Sequence, residues 1–402
     1  MDKKILVVLR IVAVICIFVL IVEFIYINSL KQDKSIYFDS INSIVLVDDD
    51  IVAVGSNNNN DMYYEKAKIT KYSLKKEKLY EKIYNKGYNG VFFDAVYDDD
   101  SVVVVGSYES NNEERKKDVR RALIVKYDND GNVIYDADFK LLDNSKFTSI
   151  VVVDDGYLVT GQSVYDSLTL GFSDKGGAVL AKYNKKLELE WKENIGDNKT
   201  AIYNSLFVLD DRIYVCGMSS SLVGLVSMYN LNGELIDTVE YKYTDNLGFT
   251  DITYFDDKLY LASGKKNEDE KNSYDAIVVV YDMKLNFYKE EIYDGNADER
   301  FNQLMFDSDD SLVVIGNSFV VDDIYSHDKV NAFVHNGLLV KYDKKLDKSF
   351  VVEYGDERDD YFTSIVEYND NYLISGFSSY EDGSYMSKFI TYSKALKMLG
   401  VE

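Results

Sequence analysis

From residue 41 to the C-terminus the chain repeats one pattern seven times with a period of about fifty residues. A period of that length marks an architecture assembled from like units. Each copy opens with a large apolar residue followed two positions later by a small polar one. The pairs are Ile41 and Ser43, Phe92 and Asp94, Phe147 and Ser149, Tyr203 and Ser205, Phe249 and Asp251, Phe301 and Gln303, and Phe362 and Ser364. An apolar run follows, then an acidic turn and a second run ending on glycine, as in DDGYLVTG up to Gly161 and DDSLVVIG up to Gly316. Two short runs rich in β-branched and aromatic residues around a tight polar turn read as a β-hairpin. A third run, small-x-apolar-x-x-Tyr, ends at Tyr72, Tyr127, Tyr183, Tyr229, Tyr281, Tyr342 and Tyr392. A polar turn such as YDNDGN then leads to a fourth, more polar run such as LEWKENIG.

Four antiparallel strands per copy, grading from apolar to polar, suit sheets set radially around a channel, the first strand at the hub and the fourth at the rim. The pattern predicts an all-β chain, a seven-bladed β-propeller of four-stranded antiparallel blades over 41–402. Its units are 41–91, 92–146, 147–202, 203–248, 249–300, 301–361 and 362–402. A β-helix would need shorter coils, and separate sandwiches would need linkers. A candidate fourth strand at 397–401 closes the last unit, so no strand needs to cross between the termini. Two units drift from the pattern: Ile41 stands in the aromatic column, and Ser263 sits where other copies have glycine.

The motif F-x-S-I (Phe147 to Ile150) with DGYLVTG, then A-x-L-x-K-Y ending at Tyr183, and Trp191 in the fourth strand resembles the bacterial secreted seven-bladed β-propeller repeat proteins of the SBBP and delta-type groups. The resemblance covers 41–402. It implies a surface or envelope protein and leaves the ligand open.

Ahead of the repeats, Lys3, Lys4 and Arg10 precede Ile11 to Leu30, twenty residues interrupted only by the charge of Glu23. That is the length of a membrane-spanning helix, and the basic flank should stay in the cytoplasm. Residues 1–30 are therefore expected to form a cytoplasmic tip and one N-terminal transmembrane signal-anchor helix. A short linker, 31–40, then leads to an extracytoplasmic propeller at the cell membrane. Glu23 to Asp33 offers no A-x-A cleavage site, and Cys16 follows Ile15 in mid-run, unlike a lipoprotein cysteine. Cys16 and Cys216 are too far apart in the pattern to form an intramolecular disulfide.

The chain has no proline and 35 tyrosines, and its richness in Asn, Lys, Ile and Asp suggests an AT-rich bacterial genome. A net charge of −24 without a basic stripe opposes nucleic-acid binding and favours a neutral or cationic partner.

Strand order puts the loops between second and third strands, and between fourth and first strands, on one rim, here called the top. These loops vary most in length, and variable loops on a repeated scaffold are where ligands usually bind. The polar column Ser43, Asp94, Ser149, Ser205, Asp251, Gln303 and Ser364 is expected to ring the upper channel. There it either holds a cation or a polar ligand or satisfies backbone groups at the strand starts. The acidic hairpins, Asp48 to Asp50 among them, follow turn chemistry and lack calcium-loop spacing. His327 and His335 are too few for a zinc site. Glu299, Asp356, Glu357, Asp359 and Asp360 lie in top-side loops, without the fixed spacing of a catalytic signature.

The reading is a non-enzymatic binding module for a protein or glycan at the cell envelope, with no cofactor and no metal. The alternative is a propeller hydrolase that cleaves a polysaccharide or ester through the top-face carboxylates.

Overall fold

The computed structural model describes residues 40–394 apart from 58–64, 113–116, 140–141, 143, 165–175, 196–199, 242–246, 268–272, 296, 322–332, 356–358, 369 and 380–384. The first repeat is a sheet of β1 (Ser40–Val47), β2 (Asp50–Asn57), β3 (Lys66–Ser73) and β4 (Lys78–Ile83), hydrogen-bonded in that order. The second supplies β5 (Tyr88–Asp98), β6 (Ser101–Asn112), β7 (Lys117–Asp128) and β8 (Val133–Phe139). The third supplies β9 (Asn144–Val153), β10 (Gly156–Val164), β11 (Gly176–Asn184) and β12 (Leu189–Ile195). Next come β13 (Thr200–Leu209), β14 (Arg212–Ser219), β15 (Gly224–Asn230) and β16 (Leu235–Glu240), then β17 (Asp251–Phe255), β18 (Lys258–Lys266), β19 (Tyr274–Asp282) and β20 (Phe287–Tyr293). The last are β21 (Asp298–Phe306), β22 (Leu312–Val321), β23 (Phe333–Tyr342) and β24 (Lys348–Tyr354), and then β25 (Asp360–Tyr368), β26 (Asn371–Ser379) and β27 (Tyr385–Ser393).

The four-stranded antiparallel plan holds, but the expectation of seven separate four-stranded blades needs correction. Hydrogen bonding gathers the described strands into six sheets: five have four strands or more, and the sixth, β25 to β27, has three. The causes are local. β6 and β7 run to 12 residues each, and the extended β7 reaches β9 through one parallel pair, Arg120 with Asn144, which joins β5 to β12 into one eight-stranded sheet. The expected strand at 397–401 lies outside the described residues. So does the expected transmembrane helix over Ile11 to Leu30, and no helix of the described residues is long and apolar enough to cross a membrane.

The core lies between neighbouring repeats. Val52, Val54 and Ile69 of the first repeat pack against Phe92, Val102 and Val104 of the second, and Val313 and Ile315 pack against Phe362 and Ile374. The opening aromatics and the third-strand tyrosines from Tyr72 to Tyr342 are fully buried, Tyr392 being half-buried, and they meet edge to face, Phe92 on Tyr127 at 6.3 Å and Phe147 on Tyr183 at 6.1 Å. Such pairs add about 0.5–1.5 kcal/mol each beyond area burial. The last repeat packs on the first: Tyr72 meets Phe389 edge to face at 5.3 Å, and Ile44 N donates to Ser364 Oγ at 3.3 Å. The fold is a β-propeller in which these contacts between faces join the first and last sheets.

The glycine ending each hairpin has a steric reason. The first strand bulges between its aromatic and its polar residue, so a Cβ on Gly161 would stand 2.0 Å from the Lys146 carbonyl oxygen. In the fifth repeat Ser263 takes that place, and the strand opens. β17 begins only at Asp251, Gly248 adopts φ +79, and Ser263 Oγ donates to Gly248 O at 2.6 Å. The acidic hairpins follow turn chemistry: Asp99 and Asp100 have φ 45 and 57, Asp256 and Asp257 have φ 48 and 56, the left-handed pairs of a two-residue hairpin turn.

Candidate functional site

All seven residues of the polar column make contacts across the hub. Ser43 Oγ and Ser149 Oγ donate to the two oxygens of Asp94, each at 3.0 Å, and Ile150 N and Ala95 N donate at 3.0 and 2.8 Å. Ser205 Oγ and Leu304 N donate to Asp251 at 2.6 and 3.0 Å. Gln303 Oε1 accepts from Ile365 N at 2.8 Å, and Ser364 takes part in the contact with Ile44. Most of these bonds satisfy a backbone N–H of a first strand just after its polar residue. Burial raises the Asp94 carboxyl above its ordinary value, and its four hydrogen bonds offset only part of this. Burial likewise pushes Asp251 up to about 6, and the charge of Asp94 adds to the shift.

A second belt lies one position earlier, and the sequence reading missed it. Asn42 Nδ2 donates to Phe92 O at 2.7 Å, Thr148 Oγ1 to Tyr203 O at 2.8 Å, and Asn204 Nδ2 to Phe249 O at 2.7 Å. Thr250 Oγ1 donates to Phe301 O at 2.9 Å, and Asn302 Nδ2 to Phe362 O at 3.1 Å. The signal was available: the residue between the aromatic and the polar column is Asn or Thr in every copy except Phe93. With its donor used, each of these side chains retains lone pairs as acceptors. Asn42, Phe93, Thr148, Asn302 and Thr363 line a cavity of about 330 Å³ at the top of the channel, joined on one side by Asn317, Tyr361 and Phe377.

That side continues into a row of rings on the top surface. Tyr361 stacks on Phe377 at 4.6 Å and meets His335 at a tilt at 4.5 Å, and His335 meets Phe319 edge to face at 3.8 Å. The Arg300 guanidinium lies 5.1 Å over Phe319. Asp359 Oδ1 accepts from His335 N at 3.1 Å and lies 2.7 Å from His335 Nδ1, which sets the ring's orientation. His327, Asp356 and Glu357 lie outside the described residues. Asp360 is buried and accepts from both Lys388 and Ser378. Glu299 is fully buried: Oε1 accepts from Ala297 N at 2.9 Å, while Oε2 has no hydrogen-bond partner. Burial, aided by the charges of Asp275 and Asp294, pushes its carboxyl up to about 8 against the backbone hydrogen bonds. Among the described residues no group of three or more His, Cys, Asp or Glu could hold a metal ion.

Two Asp–Lys–Tyr groups recur at equivalent places between repeats, below the hub. Lys126 Nζ donates to Tyr157 OH at 2.9 Å, and Tyr157 OH to Asp98 at 2.7 Å, with Lys185 also on Asp98 at 2.6 Å. Lys341 Nζ contacts Asp307 and donates to Tyr372 OH at 2.7 Å, and Tyr372 OH donates to Asp307 at 2.5 Å.

No family model matches the chain, and no curated protein matches it. Solved structures do. The Chaetomium thermophilum Sqt1 bound to the N-terminus of ribosomal protein L10 is 11% identical, with a TM-score of 0.48 over 89% of this chain and 98% of that one. The β-propeller domain of the Trilobed protease from Pyrococcus furiosus is 10% identical, with a TM-score of 0.46 over 89% and 95%. The phage phi92 endosialidase is 9% identical, with a TM-score of 0.48 over 89% and 67%.

Proposed function

We propose that the chain is a binding module that takes a glycan or protein ligand at the top mouth of its channel, held at the outer side of a membrane by the apolar segment Ile11 to Leu30. The cavity of about 330 Å³ carries this reading, because side chains from five repeats line it and its size falls in the range of ligand pockets. Its Asn and Thr lining offers acceptors to hydroxyl or amide donors, and Tyr361 and Phe377 offer apolar faces beside them. The buried Asp360 is held by Lys388 and Ser378, so it lacks the open carboxylate that the hydrolase reading would ask of it.

The purified full chain, applied to an array of envelope glycans and to envelope protein extracts, should retain a ligand that Tyr361→Ala loses at least tenfold. Equal retention by Tyr361→Ala and the parent would remove the channel mouth as the binding site. The anchor rests on Lys3, Lys4 and Arg10 preceding the apolar run. The chain should stay with membranes after alkaline washing, and deletion of 1–36 should release it. Equal partitioning of the two would count against the anchor.

A further inference from the structure

A second cavity lies on the opposite face, where the hairpins and the third-to-fourth-strand turns lie. It is a cleft of about 590 Å³ between the third and fourth repeats. Leu158 of β10 forms its buried floor, and Val152 and Leu231 stand on its walls at 37% and 41% exposure. Exposed aliphatic side chains facing one concave cleft are a different matter from scattered surface ones. The rim carries Asp154, Asp155 and Asp210. The one cation among its described lining residues, Lys182, is occupied by Asp155 at 2.6 Å and Glu190 at 3.0 Å, which leaves the rim strongly negative.

We propose that this cleft docks a basic peptide segment of a partner protein, one aliphatic side chain entering against Leu158 and Leu231 and flanking Lys or Arg residues meeting Asp154 and Asp210. Charge complementarity selects that occupant. An acidic or phosphorylated segment would be repelled by the rim, and a purely apolar one would leave the carboxylates without counter-charge. The site is independent of the channel mouth, and its walls are hairpin and turn residues set by the repeat.

The protein carries its own reporter. Trp191 is its single tryptophan, and the turn that bears Leu231 packs on it so closely that a Cβ on Gly233 would lie 2.8 Å from the indole. The full chain is titrated, with tryptophan emission read, against two synthetic peptides of equal length and charge. One carries leucines between lysines, and the other carries serines in place of the leucines. The leucine peptide should shift Trp191 emission saturably, with the serine peptide at least tenfold weaker. The surface variants Val152→Ser with Leu231→Ser, and Asp154→Lys with Asp210→Lys, should each weaken the leucine peptide at least tenfold. Equal binding of both peptides, no saturable binding of the leucine peptide, or parental affinity in both variants would overturn the proposal.

Discussion

Replacing Asp307 with asparagine should cost this fold more than any single surface change, and the size of the loss follows from the pocket it sits in. Asp307 and Lys341 have side chains 0% and 2% exposed, and the carboxylate is the ammonium's principal counter-charge, with Asp309 4.0 Å away. The asparagine would keep the oxygen that accepts from Asp309 N and Ser311 N, at 3.0 and 2.9 Å. It would turn an amide N–H₂ toward Lys341 and Tyr372, both donors. Removing one partner of a buried ion pair costs about 3–5 kcal/mol, because the other charge stays buried. At about 2 °C per kcal/mol for a large domain, the melting temperature should fall by roughly 6–10 °C.

Two comparisons separate the pair from general damage. Asp98→Asn breaks the equivalent group, where Lys185 is 31% exposed and reaches solvent, and should cost about half as much. Asp307→Asn with Lys341→Met removes both charges and should recover most of the loss, since a buried pair exchanged for apolar atoms is close to neutral. Urea unfolding of the four proteins tests the set. A loss below about 1 kcal/mol for Asp307→Asn, or a double variant less stable than the single, would refute the argument. There is also a pH signature. Burial acts to raise the Asp307 carboxyl, but the hydrogen bonds of Lys341 and Tyr372 outweigh it and hold it below its ordinary value. Its contribution is therefore present above the ordinary carboxyl range and lost as pH falls through the lower folded value.

Glu299 has the opposite sign. Its folded value of about 8 lies above that of the unfolded chain, so stability should decline from the ordinary carboxyl range up to about pH 8. Glu299→Gln should remove up to about 1.4 kcal/mol of that decline per pH unit, and parallel pH profiles for parent and variant would contradict it. Gly161→Ala should cost about 1–3 kcal/mol, because its methyl meets a backbone carbonyl. On Gly264→Ala the one close approach is to the flexible end of Leu247 at 2.9 Å, with Arg300 Cγ and Glu299 O at an ordinary 3.4 Å, so it should cost well under 1 kcal/mol, and equal unfolding midpoints for the two would be the contrary result. Ser263→Gly should let the fifth first strand pair toward Phe249, read as slower amide exchange at position 263, whereas Thr250 N already donates to Ala262 O at 2.9 Å and should not change. Unchanged exchange at position 263 would show that the serine is not what opens the strand.

Strand order, hairpins and the buried tyrosine column were legible because each depends on a period within one repeat, and a period survives substitution at any single copy. How sheets join was not legible. The fusion of β5–β8 with β9–β12 depends on β7 running long enough for Arg120 to reach Asn144, and no pattern in the repeat encodes that length. The glycine column could be seen but its reason could not. Its steric cause lies in the bulge of the neighbouring strand, and Ser263 shows the cause by removing it.

The same division runs through the hub. The polar column was visible as a column because its members share a position, but their partners lie about fifty residues away on the next repeat. Each copy must therefore offer a donor or acceptor that fits its neighbour rather than itself. This explains why Asp, Ser and Gln alternate where a simple repeat would keep one residue. Asp94 accepts from serines on both sides, Asp251 from one serine and the backbone N–H of Leu304 on the next repeat, and Gln303 from a backbone N–H. The Asp–Lys–Tyr groups obey the same rule. Lys126 and Lys341 precede buried tyrosines of their own repeats, yet Tyr157 and Tyr372 come from the following ones, so the group forms only where neighbours supply all three residues. Variation along the columns is thus the record of contacts between repeats. It makes the junctions of this propeller individual, and it is what gives one channel mouth and one lower cleft, out of many similar positions, a chemistry of their own.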